Sequence, residues 1–197
     1  MTRVALLRHY PTDWNGEHRL QGQVDRPLTS AAEDALRALR LPDDLAAVRV
    51  ISSTLHRAIQ TARLLGREPS TDPRLMEVAW GDWEGCRAED LQADPSSGFM
   101  PTGEMPWDMR PPGGESRKDA WARTRPALAE IADDPAPALI VTHKALMRVI
   151  LQIAHDHQSA PEIKRGRLYP LTLREDGRPV APGPVMRLVA REREAQK

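Results

Sequence analysis

The chain has 197 residues, with 28 basic and 28 acidic side chains, so its formal net charge is zero. That balance argues against a broad nucleic-acid or membrane surface and leaves room for a local basic pocket for a small anion. Its 40% apolar content can build a real core, the length suits one domain, and a lone cysteine, Cys86, rules out an internal disulfide and fits a reducing compartment.

Residues 4–7 form a short continuous apolar run, as expected of a strand buried on both faces. The run is too short for a signal peptide or a membrane span, so a cytoplasmic location is expected. A polar loop follows from His9 to about Leu28. Ser30 with Glu33 then reads as a capping box, with Ala32, Ala35, Leu36 and Leu39 marking one helical face. Val48, Val50 and Ile51 predict a second strand, and Thr54 is expected to open a helix running to about Leu65.

Residues 94–114, rich in Pro, Gly, Met and Trp, show no periodicity and read as a long excursion able to cover a site. Within it Phe99, Met100, Met105, Trp107 and Met109 suit either an apolar lid or core packing. Ser116 with Asp119 predicts a helix cap, and that helix is expected to reach about Ala132. Residues 138–142 read as another buried strand, followed by a helical stripe at Ala145, Leu146, Val149, Ile150 and Ile153. His155 and His157 read as an exposed helix end in preference to a metal pair, which lacks a third ligand. From Arg167 onward two strand-like runs are split by Asp176-Gly177. Strands alternating with helices predict an α/β domain with a mainly parallel sheet, whose ligands bind beyond the carboxyl ends of the strands.

Three charged segments fall at such ends: Arg8-His9, residues 52–57, and His143-Lys144. An imidazole held just past a buried strand can attack phosphorus, and an adjacent arginine fork matches phosphate oxygens. Arg57, in the first turn of its helix, can lean over the strand edge, where the helix N-terminus favours an anion. Glu77 lies beside Trp80 and Trp83, surroundings that raise a carboxyl pKa and suit a general acid; Glu84 rivals it. Taken singly, each has an ordinary reading: a turn histidine, a surface arginine, a core histidine, solvated loop carboxylates.

Together the segments resemble one family. LLRHYPTDWNGEHRLQGQVDRPLTS resembles the Arg-His-Gly signature region of the histidine phosphatase (phosphoglycerate-mutase-like) superfamily. SSTLHRAIQTA, RLMEVAWGDWEG, PPGGES and LIVTHKALMRVI resemble its later segments in the same order. The resemblance implies a three-layer α/β/α sandwich and a single domain over residues 1–197. It implies a metal-independent phosphomonoesterase acting on a small phosphorylated metabolite, without a cofactor. His9 is then the nucleophile, Arg8, Arg57 and His143 hold the phosphoryl oxygens, Glu77 is the proton donor, Glu84 is more structural, and Asn15 contacts phosphate.

Two positions depart from the pattern, Tyr10 and Lys144 standing where the family usually has glycine. Both are expected to line the substrate site, Lys144 as a cation for a second acidic group. The alternatives are that both side chains point away, or that they block the pocket and leave an inactive phosphate-binding relative. A phosphoglycerate-type mutase and a phosphatase acting on a phosphorylated protein also remain open. The expected partner is a small phosphorylated substrate, with no nucleic acid and no membrane; a homodimer is left open.

Overall fold

The run at residues 4–7 lies within strand β1 (Thr2–Arg8) in a computed structural model that describes residues 1–100, 105–157 and 160–191. A short helix α1 (Asp13–Gly16) and helix α2 (Ser30–Arg37) come next, then β2 (Leu39–Arg40) and β3 (Arg49–Ser52). Helix α3 (His56–Leu64), β4 (Ser70–Thr71), α4 (Ala88–Ala93) and the long α5 (Arg117–Asp133) lead to β5 (Ala138–Thr142) and α6 (Lys144–Ala154). The chain closes with β6 (Arg167–Leu173), β7 (Pro179–Val180), β8 (Met186–Arg187) and β9 (Val189–Ala190).

Among the described residues, seven strands make the main sheet in the order β4-β3-β5-β1-β6-β7, with β8 also on β6. The β4, β3, β5 and β1 strands run parallel, while β6 returns antiparallel beside β1. Alternate side chains of β1 face opposite layers. Val4 and Leu6 pack with Leu128, Ile131, Met147 and Ile150 of α5 and α6, whereas Ala5 and Leu7 pack with Leu36, Ala58 and Ala62 of α2 and α3. The fold is therefore an α/β/α sandwich whose central strands β1, β3 and β5 carry continuous apolar runs in their middles because both faces are covered. Among the described residues no helix is long and apolar enough to cross a membrane.

Two caps differ from expectation. Thr29, not Ser30, caps α2, its hydroxyl accepting the Ala32 N–H at 3.2 Å. Helix α3 starts two residues past Thr54, and the carboxylate of Asp25, from the preceding loop, accepts the His56 N–H. A cap donated from 31 residues away leaves no local signature, so the local pattern misplaced the start. The Ser116–Asp119 box forms as expected, with each side chain accepting the other's backbone N–H.

The aperiodic excursion divides by residue. Met105 packs against Trp80 and Trp83, with Phe99 and Met109 at the edge of the same cluster, while Met100 is exposed. Trp107 lies elsewhere, edge-on to His157 with ring centroids 5.1 Å apart. Residues 101–104 of the excursion fall outside the described residues. The turn at residues 111–114 docks back on residues 79–82, Pro112 accepting the Asp82 N–H at 2.9 Å.

Candidate active site

Strands β3, β5 and β1 are parallel neighbours, so their carboxyl ends fall side by side. The register sets Arg8 beside Thr142 and Ser52 beside Val141, and the next residue on each strand is His9, His143 or Ser53. The His9 N–H donates to Thr142 O and the Ser53 N–H to Val141 O, which fixes both backbones at the sheet edge. Three segments far apart in the chain thereby meet, with the His9 and His143 ring centroids 5.1 Å apart.

His9 is only 4% exposed. Its Nδ1 lies 2.7 Å from the carbonyl oxygen of Tyr10. A carbonyl only accepts, so Nδ1 carries the proton and Nε2 keeps its lone pair. Burial, and after it the charges of Arg57 and Arg8, hold the imidazole well below its ordinary pKa, so it is neutral and nucleophilic at pH 7.

His143 is fully buried behind it. The Arg57 Nε donates to His143 Nδ1 at 3.3 Å, which leaves the proton on Nε2, facing Ser53 Oγ at 2.6 Å. Arg57 is itself 1% exposed and clamps the 22–25 loop. Its Nη1 donates to Val24 O and Asp25 Oδ1, and its Nη2 to Gly22 O. Among the described residues, only one Nη2 hydrogen is left uncommitted. Burial draws the Arg57 pKa down, while Glu77 and Asp25 oppose that fall.

The cleft above these groups has a volume of about 350 Å³ and is lined by Arg8, His9, Asn15, Gln21, Glu77 and Lys144 among others. Arg57 and His143 do not line it; the Arg57 cation and the neutral His143 form a buried polar layer against His9. Glu77 is 4% exposed, not a solvated loop charge. Its Oε1 accepts the N–H groups of Val78 and Leu146, and its Oε2 that of Ala145, which ties it to the first turn of α6. Burial raises its pKa and those three N–H groups oppose the rise. Glu84 is structural: its carboxylate accepts the N–H groups of Gln23 and Val24 and so holds the loop that clamps Arg57.

Asn15 lies in the cleft, its Oδ1 accepting from Thr12 N and from Arg165 Nη2. Lys144 stands at the mouth, exposed. The expectation for Tyr10 fails. Its ring packs in the apolar cluster with Leu7, Leu28 and Leu168, and it is not among the cleft-lining residues. Its backbone N–H donates to Thr61 Oγ1 at 3.1 Å, which ties this stretch of chain to α3.

Sequence reasoning missed four groups. Ser53 orients His143. The Gln21 Oε1 accepts from the Thr12 hydroxyl at 2.7 Å, leaving a buried Nε2 with no partner among the described residues. Arg148 and Arg165 line the cleft as further cations. Ser53, Gln21 and Arg148 lie within quoted motifs without having been singled out, but Arg165 lies on the tail turn before β6, where no pattern marked it. Among the described residues no three His, Cys, Asp or Glu side chains gather as a metal-ligand set.

Residues 4–176 match the family model of the histidine phosphatase superfamily (branch 1). The chain belongs to this superfamily. It is 34% identical over 167 residues to glucosyl-3-phosphoglycerate phosphatase of Mycobacterium tuberculosis (strain ATCC 25618 / H37Rv), covering 75% of this chain and 73% of that protein. It is 36% identical over 151 residues to a probable phosphoglycerate mutase of Enterobacter sp. (strain 638), covering 73% and 70%. Among solved structures of the superfamily, mycobacterial glucosyl-3-phosphoglycerate phosphatase in complex with VO3 superposes with a TM-score of 0.74 at 29% identity, covering 87% of this chain and 93% of that one. Phosphoglycerate mutase from Thermus thermophilus gives a TM-score of 0.68 at 29% identity, covering 97% and 100%.

Proposed function

We propose that this superfamily member is a phosphomonoesterase that hydrolyses a small phosphorylated metabolite through a phospho-histidine on His9, with no metal in the step. The observation that carries the reading is the Nδ1 contact of His9 with the Tyr10 carbonyl, which leaves Nε2 free in a cleft of arginines. Nε2 attacks phosphorus as the bond to the ester oxygen breaks, and Glu77 gives that oxygen its proton. Water then attacks the phosphorus of phospho-His9 and passes a proton to Glu77, and inorganic phosphate leaves. Arg8 meets the phosphoryl oxygens from the cleft, and Arg57 adds positive charge and its one uncommitted Nη2 hydrogen from beneath, its Nε held on the neutral His143. Phosphoryl transfer needs chiefly this positioning and charge.

The relatives named mutases favour a second reading, transfer between positions of one substrate. The apolar excursion residues Phe99, Met105 and Met109 pack with Trp80 and Trp83 and do not line the cleft, so the choice between the two readings falls to a phosphoglycerate assay. The inactive-relative reading loses its motive, since Tyr10 packs in the core and Lys144 is exposed.

The test is turnover of an aryl phosphate in the presence of a chelator, beside the His9→Ala variant. The expected result is hydrolysis that survives chelation and disappears in the variant. Turnover lost on chelation would sink the metal-free step, and isomerisation of a phosphoglycerate faster than its hydrolysis would establish the mutase.

A further inference from the structure

We infer that a cavity at the far end of α6, walled by Trp107, Trp121 and Lys118, is a binding site for a planar aromatic anion of the nucleotide kind. The inference is independent of the hydrolase reading. The cavity has a volume of about 500 Å³ and lies between α5, the end of α6 and the turn joining β6 to β7. Among the described residues it shares none with the cleft at His9. Lys144 of the cleft and Ile153 of the cavity stand about 14 Å apart along the axis of α6.

The walls of the cavity are held in place. The β6–β7 turn abuts α5 at Gly177, whose φ is +79°; a Cβ there would meet Arg125 O at 2.3 Å and Ala129 N at 2.8 Å. On the same turn Asp176 accepts twice from Arg125, its Oδ2 from Nη2 at 2.9 Å and its carbonyl oxygen from Nε at 3.0 Å. Arg178 pairs with Asp156, just past α6, at 3.2 Å. The next residue, His157, is kept at a φ of 64° by its N–H donating to Gln152 O at 2.7 Å. A left-handed backbone persists in a residue other than glycine only where the surroundings hold it. Here the imidazole meets the Trp107 ring at 70° to its plane, with centroids 5.1 Å apart.

Both tryptophans are half-buried, and Trp121 also packs against the core between α5 and α6. A near-perpendicular ring contact takes up one face of an indole at most, so Trp107 keeps aromatic surface toward the cavity. Of the cations in the walls, Arg125 and Arg178 are each neutralised by an aspartate. Lys118 is exposed and enters no ion pair among the described residues, so one positive charge is left in excess. The cavity thus offers two indoles and the apolar side chain of Ile153 beside an uncompensated ammonium. An aliphatic anion would leave the indoles unstacked, and a neutral ring would leave the ammonium unanswered. A ring that carries an anionic group satisfies both, by stacking and by a charge-assisted hydrogen bond. The volume lies within the range of about 300–1,000 Å³ usual for small-molecule pockets.

The probe is 3′,5′-cyclic AMP, a phosphodiester that a monoesterase leaves intact, titrated calorimetrically beside adenosine, which has the base without the charge. Saturable binding of cyclic AMP is expected, with adenosine weaker by roughly tenfold or more. Lys118→Gln should weaken cyclic AMP by roughly tenfold and leave adenosine unchanged, because it removes only the charge. Trp107→Leu should weaken both by roughly tenfold, the size of one lost base–aromatic stack. Circular dichroism shows that each variant is folded, and Lys118 is exposed, so its variant decides the matter if Trp107→Leu does not fold. No saturation by millimolar cyclic AMP, equal affinity for adenosine, or an affinity for cyclic AMP unchanged by Lys118→Gln would overturn the inference. So would competitive inhibition of aryl phosphate turnover with a matching constant, which would place the nucleotide in the cleft at His9.

Discussion

Glu77 occupies a position of opposed tendencies, buried among protein groups yet bonded by three N–H donors that stabilise its anion. Burial prevails and raises its pKa, which suits a group that must arrive protonated. If it protonates the leaving oxygen, its removal should matter most where the leaving group is basic. Glu77→Gln is expected to lower kcat for an alkyl phosphate by roughly 100-fold or more, the usual worth of a general acid, and to lower it far less for nitrophenyl phosphate. Steady-state kinetics on the two esters decides this; equal losses would assign Glu77 to holding α6. The pH dependence has a definite sense. Activity should fall on the acid side as His9 takes up a proton, at a pH below the ordinary histidine range, and on the alkaline side as Glu77 loses one. The residue types and spacing of Arg8, His9, Glu77 and His143 are legible in the sequence because each follows a buried run or a motif. Arg165 is not, because its relation to Asn15 crosses 150 residues and exists only once β6 lies beside β1.

The 22–25 loop is the element on which the buried Arg57–His143 layer depends. Gly22 O accepts from Arg57, and Glu84 grips the following two N–H groups. A Cβ at Gly22 would meet Glu84 Oε1 at 2.3 Å, Val78 O at 2.7 Å and Trp80 N at 2.9 Å. Two of those atoms are backbone and cannot move aside cheaply. Gly22→Ala should therefore destabilise the fold by about 1–3 kcal/mol, as overpacking does, and lower activity beyond what the stability loss explains. Denaturant unfolding together with kcat/KM would show it, and an unchanged kcat/KM would detach the loop from the site. The α2 cap offers a sharper contrast: Thr29→Ala should cost about 1 kcal/mol and Ser30→Ala little, since only Thr29 accepts the Ala32 N–H. Elements with strong apolar runs, β1 and β5 above all, were readable, whereas helix starts capped from elsewhere, as α3 is by Asp25, were not.

At the scale of the molecule, folding buries two neutral imidazoles side by side. His9 and His143 both have pKa values well below the ordinary one, held there chiefly by burial and then by Arg57. The unfolded chain therefore binds more protons than the folded one once the pH drops below about 6.5, and stability falls from there downward. Each histidine adds a slope approaching about 1.4 kcal/mol per pH unit below that point. Glu77 works against this at lower pH, because its raised pKa makes the folded state the stronger proton binder there. Urea midpoints should drop between about pH 7.5 and 5.5, and drop less in His9→Asn, which removes one of the two titrating groups. A flat wild-type profile would contradict the burial of these rings.

The sequence alone determined the layered α/β architecture, the family, and the identity of the groups at the strand ends, because continuous apolar runs and motif spacing are local properties of the chain. Only the tertiary structure decided which side chains reach the cleft. It sent Tyr10 into the core, set Arg57 and His143 beneath His9, and drew in Gln21, Arg148 and Arg165. The physical reason is that a side chain's direction follows from the packing of strands and helices distant in sequence, and no local pattern encodes that packing.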